Sequence, residues 1–288
     1  MLDRLRISAL YVFPVKSCAG LRVDELTLDA MGAVGDRRFM LVDAHGRFVT
    51  QREHRALALV TAARANTGGV VLRSAGQAAL AVEPPRRGSG EREAVVWDDS
   101  VRVRDCGEAA AEWFSALLGV AVRLVYLPDE SVRGVDPSYA PSTARVSLAD
   151  GFPLVVATEA SLADLSTRAG TPLEMERFRP NIVVSGGRAW DEDRWETVRA
   201  GEVTLRLVKP CARCAITLID PQSGVPGTEP LRALAGFRRG TDLGFRGANS
   251  ASTYFSWNAL HESLGTLRVG DAVTVSAQRL ARHMSRRS

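Results

Sequence analysis

The chain has 288 residues, 45% of them hydrophobic and 24% charged, with a formal net charge of +4; this is the composition of a soluble globular protein with room for two domains. The charge is too small to indicate nucleic-acid binding, four irregularly spaced cysteines do not form a disulfide framework, and no run approaches the ~18 apolar residues of a membrane span. Because the N-terminus also lacks an apolar signal segment, we expect a cytoplasmic protein with neither a membrane nor a nucleic-acid partner.

Short apolar runs that alternate or end at turn residues dominate the first part of the chain, which is typical of β-strands. Strands are predicted at residues 7–12, 21–28, 38–43, 48–51, 69–72, 79–82, 94–97, 101–104 and 122–127. The segment 84–90, rich in proline and glycine, is predicted to be a hairpin tip. Such regular spacing favours an antiparallel barrel or sandwich.

A helix is predicted over residues 107–118, because apolar side chains recur along one face and Gly119 follows as a C-cap. The polar, proline-bearing stretch 128–143 is the predicted domain boundary. We therefore expect an N-terminal domain at 1–127, a second domain at 128–278, and a basic tail at 279–288 that is predicted to be disordered.

The second part of the chain mixes strands and helices. Strands are predicted at residues 153–157, 181–184, 203–207 and 215–219, with a last one after the turn that begins at Gly265. A helix at 159–168 should be capped by Thr158 and stopped by Gly170. The whole pattern predicts a mixed, β-rich (α+β) fold.

The stretch with the most evident chemistry is 207–220, where Cys211 and Cys214 lie between two apolar runs with Lys209 and Arg213 beside them. Because Pro210 cannot donate a hydrogen bond to a β-ladder, the cysteines are predicted to lie on the connection between two strands. Neighbouring cations favour the thiolate, which acts as a nucleophile or as a ligand for a soft metal.

Four interpretations of this cysteine pair remain open. A structural zinc site usually takes four Cys or His ligands, and the other cysteines and the histidines show no ligand spacing. A thioredoxin-like dithiol belongs at the start of a helix, whereas a β-type run follows here. The pair can also be two inert core residues. In the fourth interpretation, one thiolate binds a soft metal whose other ligands come from a cofactor.

Four short motifs occur in a characteristic order along the chain. FPVKSCAG at 13–20 and GDRRF at 35–39 resemble the opening of the N-terminal β-barrel domain of the MOSC family (molybdenum cofactor sulfurase C-terminal). RFRPNIV at 177–183 and KPCARC at 209–214 resemble the core of the MOSC β-barrel domain, which carries peripheral helices. The resemblance spans nearly the whole chain and extends to the mitochondrial amidoxime-reducing component and its bacterial counterparts.

This resemblance implies a molybdenum cofactor (Mo-molybdopterin) with one cysteine thiolate as an additional metal ligand. The family's ligand matches the second cysteine of the pair, so Cys214 is expected to be both the metal ligand and the catalytic residue, with Cys211 as a neighbour. Arg213 is expected to help keep Cys214 deprotonated. Contacts with the cofactor are expected at Lys16, Ser17, Arg37, Asp150, Thr158, Arg179, Asn181, Arg213 and Tyr254.

The resemblance further implies an oxidoreductase that reduces small N-hydroxylated or N-oxide compounds. Its electrons should come from a separate electron-transfer protein or reductase, because the sequence has no flavin or nicotinamide fingerprint. The alternative is a MOSC carrier or binding module that delivers sulfur or molybdenum cofactor, with Cys214 as the persulfide or cofactor site. A member that keeps the fold without the cofactor is the third possibility.

Overall fold

The computed structural model describes residues 4–246 and 249–279. The strands are β1 (Arg6–Val12), β2 (Leu21–Val23), β3 (Glu25–Asp29), β4 (Gly32–Ala33), β5 (Phe39–Val42), β6 (Thr61–Arg64), β7 (Val70–Arg73), β8 (Leu80–Val82), β9 (Glu91–Val96), β10 (Asp99–Asp105), β11 (Arg123–Tyr126), β12 (Leu154–Thr158), β13 (Ile182–Ser185), β14 (Trp195–Ala200), β15 (Val203–Arg213), β16 (Thr253–His261), β17 (Thr266–Arg268) and β18 (Val273–Gln278). The α-helices are α1 (Glu108–Leu118), α2 (Glu159–Ala169) and α3 (Leu231–Leu234), and short 3-10 helices occur at Arg55–Leu59, Met175–Phe178, Asp191–Arg194 and Ala215–Leu218. The prediction of a mixed, β-rich fold is confirmed.

The largest sheet has the strand order β18-β14-β15-β16-β12-β13-β1-β2. Its β12 and β13 are parallel, whereas β1 runs antiparallel to β13 and pairs Leu10 with Ile182. Side chains from both ends of the chain, such as Val12, Leu28 and Val273, fill the core on one face of this sheet. The N-terminal strand is therefore part of a sheet to which the second part of the chain contributes most strands.

The first part of the chain alone forms two smaller sheets, β5-β11-β10-β9 and β6-β7-β8, and its strands β3 and β4 form a third small sheet with β17. Helix α1 packs Phe114 against a core that includes Leu41 and Leu72. Gly119 ends this helix in the left-handed conformation at φ 68°, as predicted. Helix α2 is also confirmed: the Thr158 hydroxyl accepts a hydrogen bond from Ser161 N at 3.2 Å.

Two predictions for the first part of the chain are wrong. Segment 84–90 is not a hairpin tip, because it connects β8 and β9, which belong to different sheets. Segment 48–51 is not a strand: Phe48 forms only an isolated bridge with Val42. The chain then turns at Thr50, whose carbonyl accepts a hydrogen bond from His54 N at 2.9 Å, so the ladder cannot continue.

Strand β15 is longer than predicted and contains Cys211, so that cysteine does not lie on a connection. Pro210 is tolerated inside the strand because the pairing with β16 shifts register between Pro210 and Ala212, which removes the need for a ladder donor. The strand predicted at 215–219 is also wrong, since Ala215–Leu218 is a 3-10 helix. Its first turn is closed by Thr217, whose hydroxyl donates to the Cys214 carbonyl at 3.0 Å.

At the C-terminal end, residues 280–288 of the predicted tail lie outside the described residues. Arg279 is packed: its guanidinium lies 4.0 Å from the ring centre of Trp257 and donates to the carbonyls of Trp195 and Leu207. Within residues 4–246 and 249–279, no helix combines the length and apolar character that crossing a membrane requires.

Candidate functional site

The turn after β1, the turn before β5, the segments before β12 and β13, and the end of β15 line one cavity. It brings together most of the predicted site residues: Lys16, Ser17, Arg37, Asp150, Arg179, Asn181, Arg213 and Cys214. These residues are up to about two hundred positions apart in the sequence, so the large sheet is what assembles them.

Arg37 and Arg179 are the central cations of this cavity. The Arg37 guanidinium donates to Asp36 Oδ2 at 2.6 Å, to the Arg179 carbonyl at 3.1 Å and to Asn181 Oδ1 at 3.4 Å. Arg179 Nη1 donates to the Cys18 carbonyl at 2.7 Å. Both guanidinium groups lie against the ring of Phe13, 4.2 and 4.3 Å from its centre. Arg37 is thus anchored by a carboxylate, whereas the contacts of Arg179 within the described part of the chain are with the neutral Cys18 carbonyl and the Phe13 ring.

One guanidinium nitrogen of Arg179 has an unsatisfied hydrogen-bonding capacity. Its Nη2 is buried and has no hydrogen-bond partner among the described residues. Burial and the neighbouring charge of Arg37 lower the pKa of Arg179 to about 9. Leaving a buried charged donor unpaired costs on the order of 1–3 kcal/mol or more. An anion placed in the cavity would satisfy this nitrogen and restore the charge balance.

The backbone around the cavity adopts an uncommon conformation at three non-glycine residues. Ser17, Arg37 and Arg179 have φ values of 68°, 46° and 52°. Such residues lie in the left-handed region, which side chains adopt only at a cost of about 1–3 kcal/mol each, and they cluster at functional sites. All three are residues whose side chains were predicted from the sequence to bind a cofactor.

Lys16 connects the turn after β1 to the segment before β12. Its buried Nζ donates to the Leu148 carbonyl at 2.8 Å and to Asp150 Oδ1 at 2.5 Å. Burial lowers the pKa of Lys16, and the Asp150 carboxylate opposes that shift. Lys16 and Asp150 therefore fix one wall of the cavity as a pair.

The two cysteines differ in environment. The side chain of Cys214 is exposed at the end of β15, whereas Cys211 is half-buried within the strand. Burial raises the pKa of Cys211, and the Arg213 charge opposes the shift. Arg213 itself donates to the carbonyls of Phe178 at 2.9 Å and Phe255 at 2.7 Å. Its guanidinium thus ties β16 to the turn before β13, and its effect on the ionisation of Cys214 stays a prediction.

The geometry of the cysteine pair does not favour a dithiol. The chain remains extended from Cys211 to Cys214, which places their Cα atoms roughly 10 Å apart at about 3.3 Å per residue. A disulfide needs a Cα separation below about 7 Å. Among residues 4–246 and 249–279 there is also no group of three or more His, Cys, Asp or Glu side chains that could hold a metal ion.

Asn181 lines the cavity, but its amide is engaged. Its Nδ2 donates to the Tyr11 carbonyl at 3.2 Å and its Oδ1 accepts from Val155 N at 3.2 Å. The residue therefore clamps β1 and β12 together beside the cavity.

Two predicted site residues do not line the cavity. Besides capping α2, Thr158 lies within hydrogen-bond distance of Glu192 Oε2 at 3.1 Å. The ring of buried Tyr254 packs on Phe245, with centroids 5.1 Å apart, and its hydroxyl donates to the Asn249 carbonyl at 3.1 Å.

Sequence reasoning missed Asp36 and Phe13 as parts of the site. Asp36 is buried and accepts from Phe13 N at 2.8 Å as well as from Arg37, so it fixes both the ring and the cation. Both residues lie within the motifs already singled out. The signal was an aspartate beside an arginine in GDRRF, because a carboxylate and a guanidinium form strong, charge-assisted hydrogen bonds.

Comparison with known proteins gives consistent matches. The profile of the MOSC N-terminal beta barrel domain matches residues 4–121, and that of the MOSC domain matches residues 143–274. "Mitochondrial amidoxime reducing component 2" of Rattus norvegicus is 34% identical over 280 residues, covering 93% of this chain and 82% of that protein. "Mitochondrial amidoxime-reducing component 1" of Homo sapiens is 32% identical over 285 residues, covering 94% and 83%. The crystal structure of the YUAD protein from Bacillus subtilis aligns over 95% of this chain and 97% of its own with 11% identity and a TM-score of 0.40, too weak a likeness to support an argument.

Proposed function

The chain belongs to the MOSC family that includes the mitochondrial amidoxime-reducing components, and from this membership we propose that it is a molybdenum-cofactor-dependent oxidoreductase that reduces N-hydroxylated or N-oxide compounds. The observation that carries the proposal is the cavity in which the exposed thiol of Cys214 lies together with Arg179, whose buried Nη2 has no hydrogen-bond partner among the described residues. A soft ligand and an unsatisfied cation are what a sulfur-bound metal with an anionic cofactor requires.

The residues of the cavity fit such a cofactor. A phosphorylated pterin is anionic and polar, and Arg179 Nη2 is a buried donor without an acceptor. Lys16 and Arg37 add positive charge and Ser17 adds a hydroxyl at the same cavity. Cys214 would be the sulfur ligand of the metal, because its side chain is exposed at the cavity, whereas Cys211 is half-buried and burial raises its pKa.

When bound, the cofactor supplies a molybdenum that alternates between two oxidation states two electrons apart. Reduction of an N–OH group takes two electrons and two protons, breaks the N–O bond and releases water, leaving N–H. The protein's contribution is binding and orientation. Phe13 packs against both arginines, Asp36 holds Arg37 in place, and Cys214 would fix where the metal is held.

The experiment that tests this proposal compares two variants of neighbouring cysteines. Wild-type protein made in a cofactor-competent host should contain about one molybdenum per chain by elemental analysis. Cys214→Ser should lose most of it, whereas Cys211→Ser, the matched control in the same strand segment, should retain it. Equal losses in the two variants would contradict the single-ligand assignment.

The exposure of Cys214 also favours a second candidate function, because a carrier must present its sulfur or cofactor to another protein. The two candidates differ in turnover. Chemically reduced enzyme should convert an amidoxime or a hydroxylamine repeatedly, whereas a carrier should show no turnover and should pass its sulfur or cofactor to an acceptor. If the protein is an enzyme, we infer that a separate electron-transfer protein delivers its electrons. This inference is supported by the sequence, which has no flavin or nicotinamide fingerprint.

A further inference from the structure

A second cavity, of about 180 Å³, lies beside the one that contains Cys214 and shares Arg177, Arg179 and Ile216 with it. Its walls are largely apolar, from Phe13, Ala19, Ala58, Ile219 and Pro221. Its remaining polar lining includes two carboxylates, Glu174 and Glu176. A small apolar group with one polar end would match this lining.

The cations at this cavity are accounted for. Arg177 pairs with Glu174 at 2.5 Å and with Asp220 at 2.7 Å. Arg179 also lines the first cavity, where the proposed anionic cofactor would neutralise it. Neither arginine therefore leaves a free positive charge at the second cavity once the first is filled.

Glu176 is the second carboxylate in the lining of this cavity, and unlike Glu174 it is not paired with Arg177. Its Oε1 accepts a hydrogen bond from the Tyr11 hydroxyl at 3.2 Å, and no lysine or arginine in the described part of the chain forms an ion pair with it. Burial, together with the Glu176 charge, raises the pKa of Tyr11 to about 12, so the tyrosine stays a neutral donor. Glu176 lies in the 3-10 helix Met175–Phe178, which is followed directly by Arg179, so its position is fixed relative to the first cavity.

We propose that the second cavity holds the substrate and that Glu176 is a specificity-determining residue that selects N-oxygenated compounds carrying a cationic group on a small apolar or aromatic body. A carboxylate binds an amidinium or guanidinium group through two parallel, charge-assisted hydrogen bonds. The apolar walls take the ring or alkyl part. This inference rests on the proposed function for the identity of the reacting group, but the recognition itself is a binding property that can be measured without turnover.

The experiment uses holoprotein and three probes of similar shape: benzamidine, benzamide and benzoate. Titration calorimetry should show benzamidine binding about tenfold or more tighter than benzamide, and benzoate binding weakest. Glu176→Gln, which keeps the oxygen that accepts from Tyr11, should reduce benzamidine affinity about tenfold and leave benzamide affinity unchanged. Glu159→Gln is the matched control, because it removes an exposed charge near Tyr11 without touching the cavity.

Equal affinity of the wild type for benzamidine and benzamide would overturn the inference. An equal loss of benzamidine affinity in Glu176→Gln and Glu159→Gln would overturn it as well. Tyr11→Phe keeps the Glu176 carboxylate but removes its hydrogen bond from Tyr11, and it should retain the preference for benzamidine. This variant shows that losing the contact between the two side chains does not by itself abolish benzamidine binding. The same selectivity should appear in turnover: Glu176→Gln should raise KM for an N-hydroxyguanidine and leave KM for a neutral N-oxide unchanged. Glu176-dependent benzamidine binding in a protein without molybdenum or turnover would support the cavity assignment while the proposed function fails.

Discussion

Among single residues, Arg179 has the most to gain from a ligand, because its Nη2 is buried and unpartnered. Arg179→Met keeps the length of the side chain and removes the charge. We expect the free energy of unfolding of the cofactor-free variant to lie within about 1 kcal/mol of the wild-type value. The variant loses one hydrogen bond to the Cys18 carbonyl, but it also no longer buries an incompletely paired cation. Molybdenum content should fall at least tenfold. Normal metal content with unchanged stability would remove Arg179 from the site.

Glu192 is a buried carboxyl group that the proposed reaction does not use. Its Oε1 has no hydrogen-bond partner among the described residues, and burial, with a smaller effect of Asp193, raises its pKa from 4.5 to about 7. The folded protein therefore binds more protons than the unfolded chain between these values, so the free energy of unfolding should decrease as pH rises from about 4.5 to 7. The decrease should be about 3 kcal/mol, since each pKa unit corresponds to about 1.4 kcal/mol.

Glu192→Gln should abolish this pH dependence, because the amide cannot ionise. Urea unfolding at pH 5 and pH 8 measures the effect: the variant should gain stability relative to the wild type at pH 8 and little at pH 5. Glu196→Gln, an exposed position on β14, is the control. The same difference between variant and wild type at both pH values would show that Glu192 does not titrate in this range.

For single residues, the sequence was a better guide to the chemistry of the site than to the contacts that each side chain makes. Arg179 and Cys214 belong to motifs whose residue types suit an anion and a soft metal, and both line the cavity. Thr158 and Tyr254 belong to similar stretches but are taken up by a helix cap and by packing. No local pattern separates these cases, because what decides is whether a side chain already has a partner within the fold.

Among the elements, helix α2 shows how a cap links secondary structure to a buried charge. The Thr158 hydroxyl caps the helix at Ser161 N and also lies 3.1 Å from Glu192 Oε2. Thr158→Ala should cost about 1–2 kcal/mol in the free energy of unfolding, the range for loss of a good N-cap. Thr167→Ala in the same helix, where the hydroxyl bonds only the Ala163 carbonyl, should cost less.

Molybdenum content provides a second readout for the same variant. Because Thr158 does not line the cavity, Thr158→Ala should retain the wild-type metal content when the protein is folded. Loss of metal without loss of stability would instead support the direct contact with the cofactor that the family resemblance implies.

The same comparison of elements shows where sequence patterns are reliable. Helices α1 and α2 were predictable because a long apolar stripe, a start signal and a final glycine agree. The five-residue run at 215–219 carries no such signals, and apolar runs of that length do not distinguish a strand from a helical turn. Cys211 was misplaced because the rule on proline holds for regular ladders, whereas β15 and β16 shift register at Pro210.

For the whole molecule, the decisive feature is the position of β1 between β13 and β2 in the largest sheet. The division of the chain at residue 128 remains a prediction, and a cut there separates strands that pair directly. Gly32 in β4 reinforces this contact: a Cβ atom there would come within 2.7 Å of the Pro153 carbonyl, so the two segments approach at backbone distance. The same junction carries Lys16 and Arg37 to the cavity.

We therefore expect residues 128–279 alone not to fold cooperatively. The fragment lacks the buried side chains of Ile7, Leu10 and Val12, and each buried aliphatic side chain contributes about 1.5–3 kcal/mol. Their combined loss, roughly 5–9 kcal/mol, is comparable with the whole stability of a typical domain, about 5–15 kcal/mol. The loss also leaves the backbone edge of β13 unpaired. Urea titration followed by circular dichroism should show no sigmoidal transition for the fragment.

Joining residues 4–36 to this fragment through a flexible linker should restore a sigmoidal transition, because it returns β1 to β4 without β5 to β11 or α1. The matched control carries Leu10→Asp in the added segment, which places a charge opposite Ile182 in the core and should prevent the rescue. A cooperative transition in the bare fragment would mean that the second part of the chain builds its core alone. Rescue only by the intact segment would show that the sheet, and with it the cavity walls, depends on both parts of the chain.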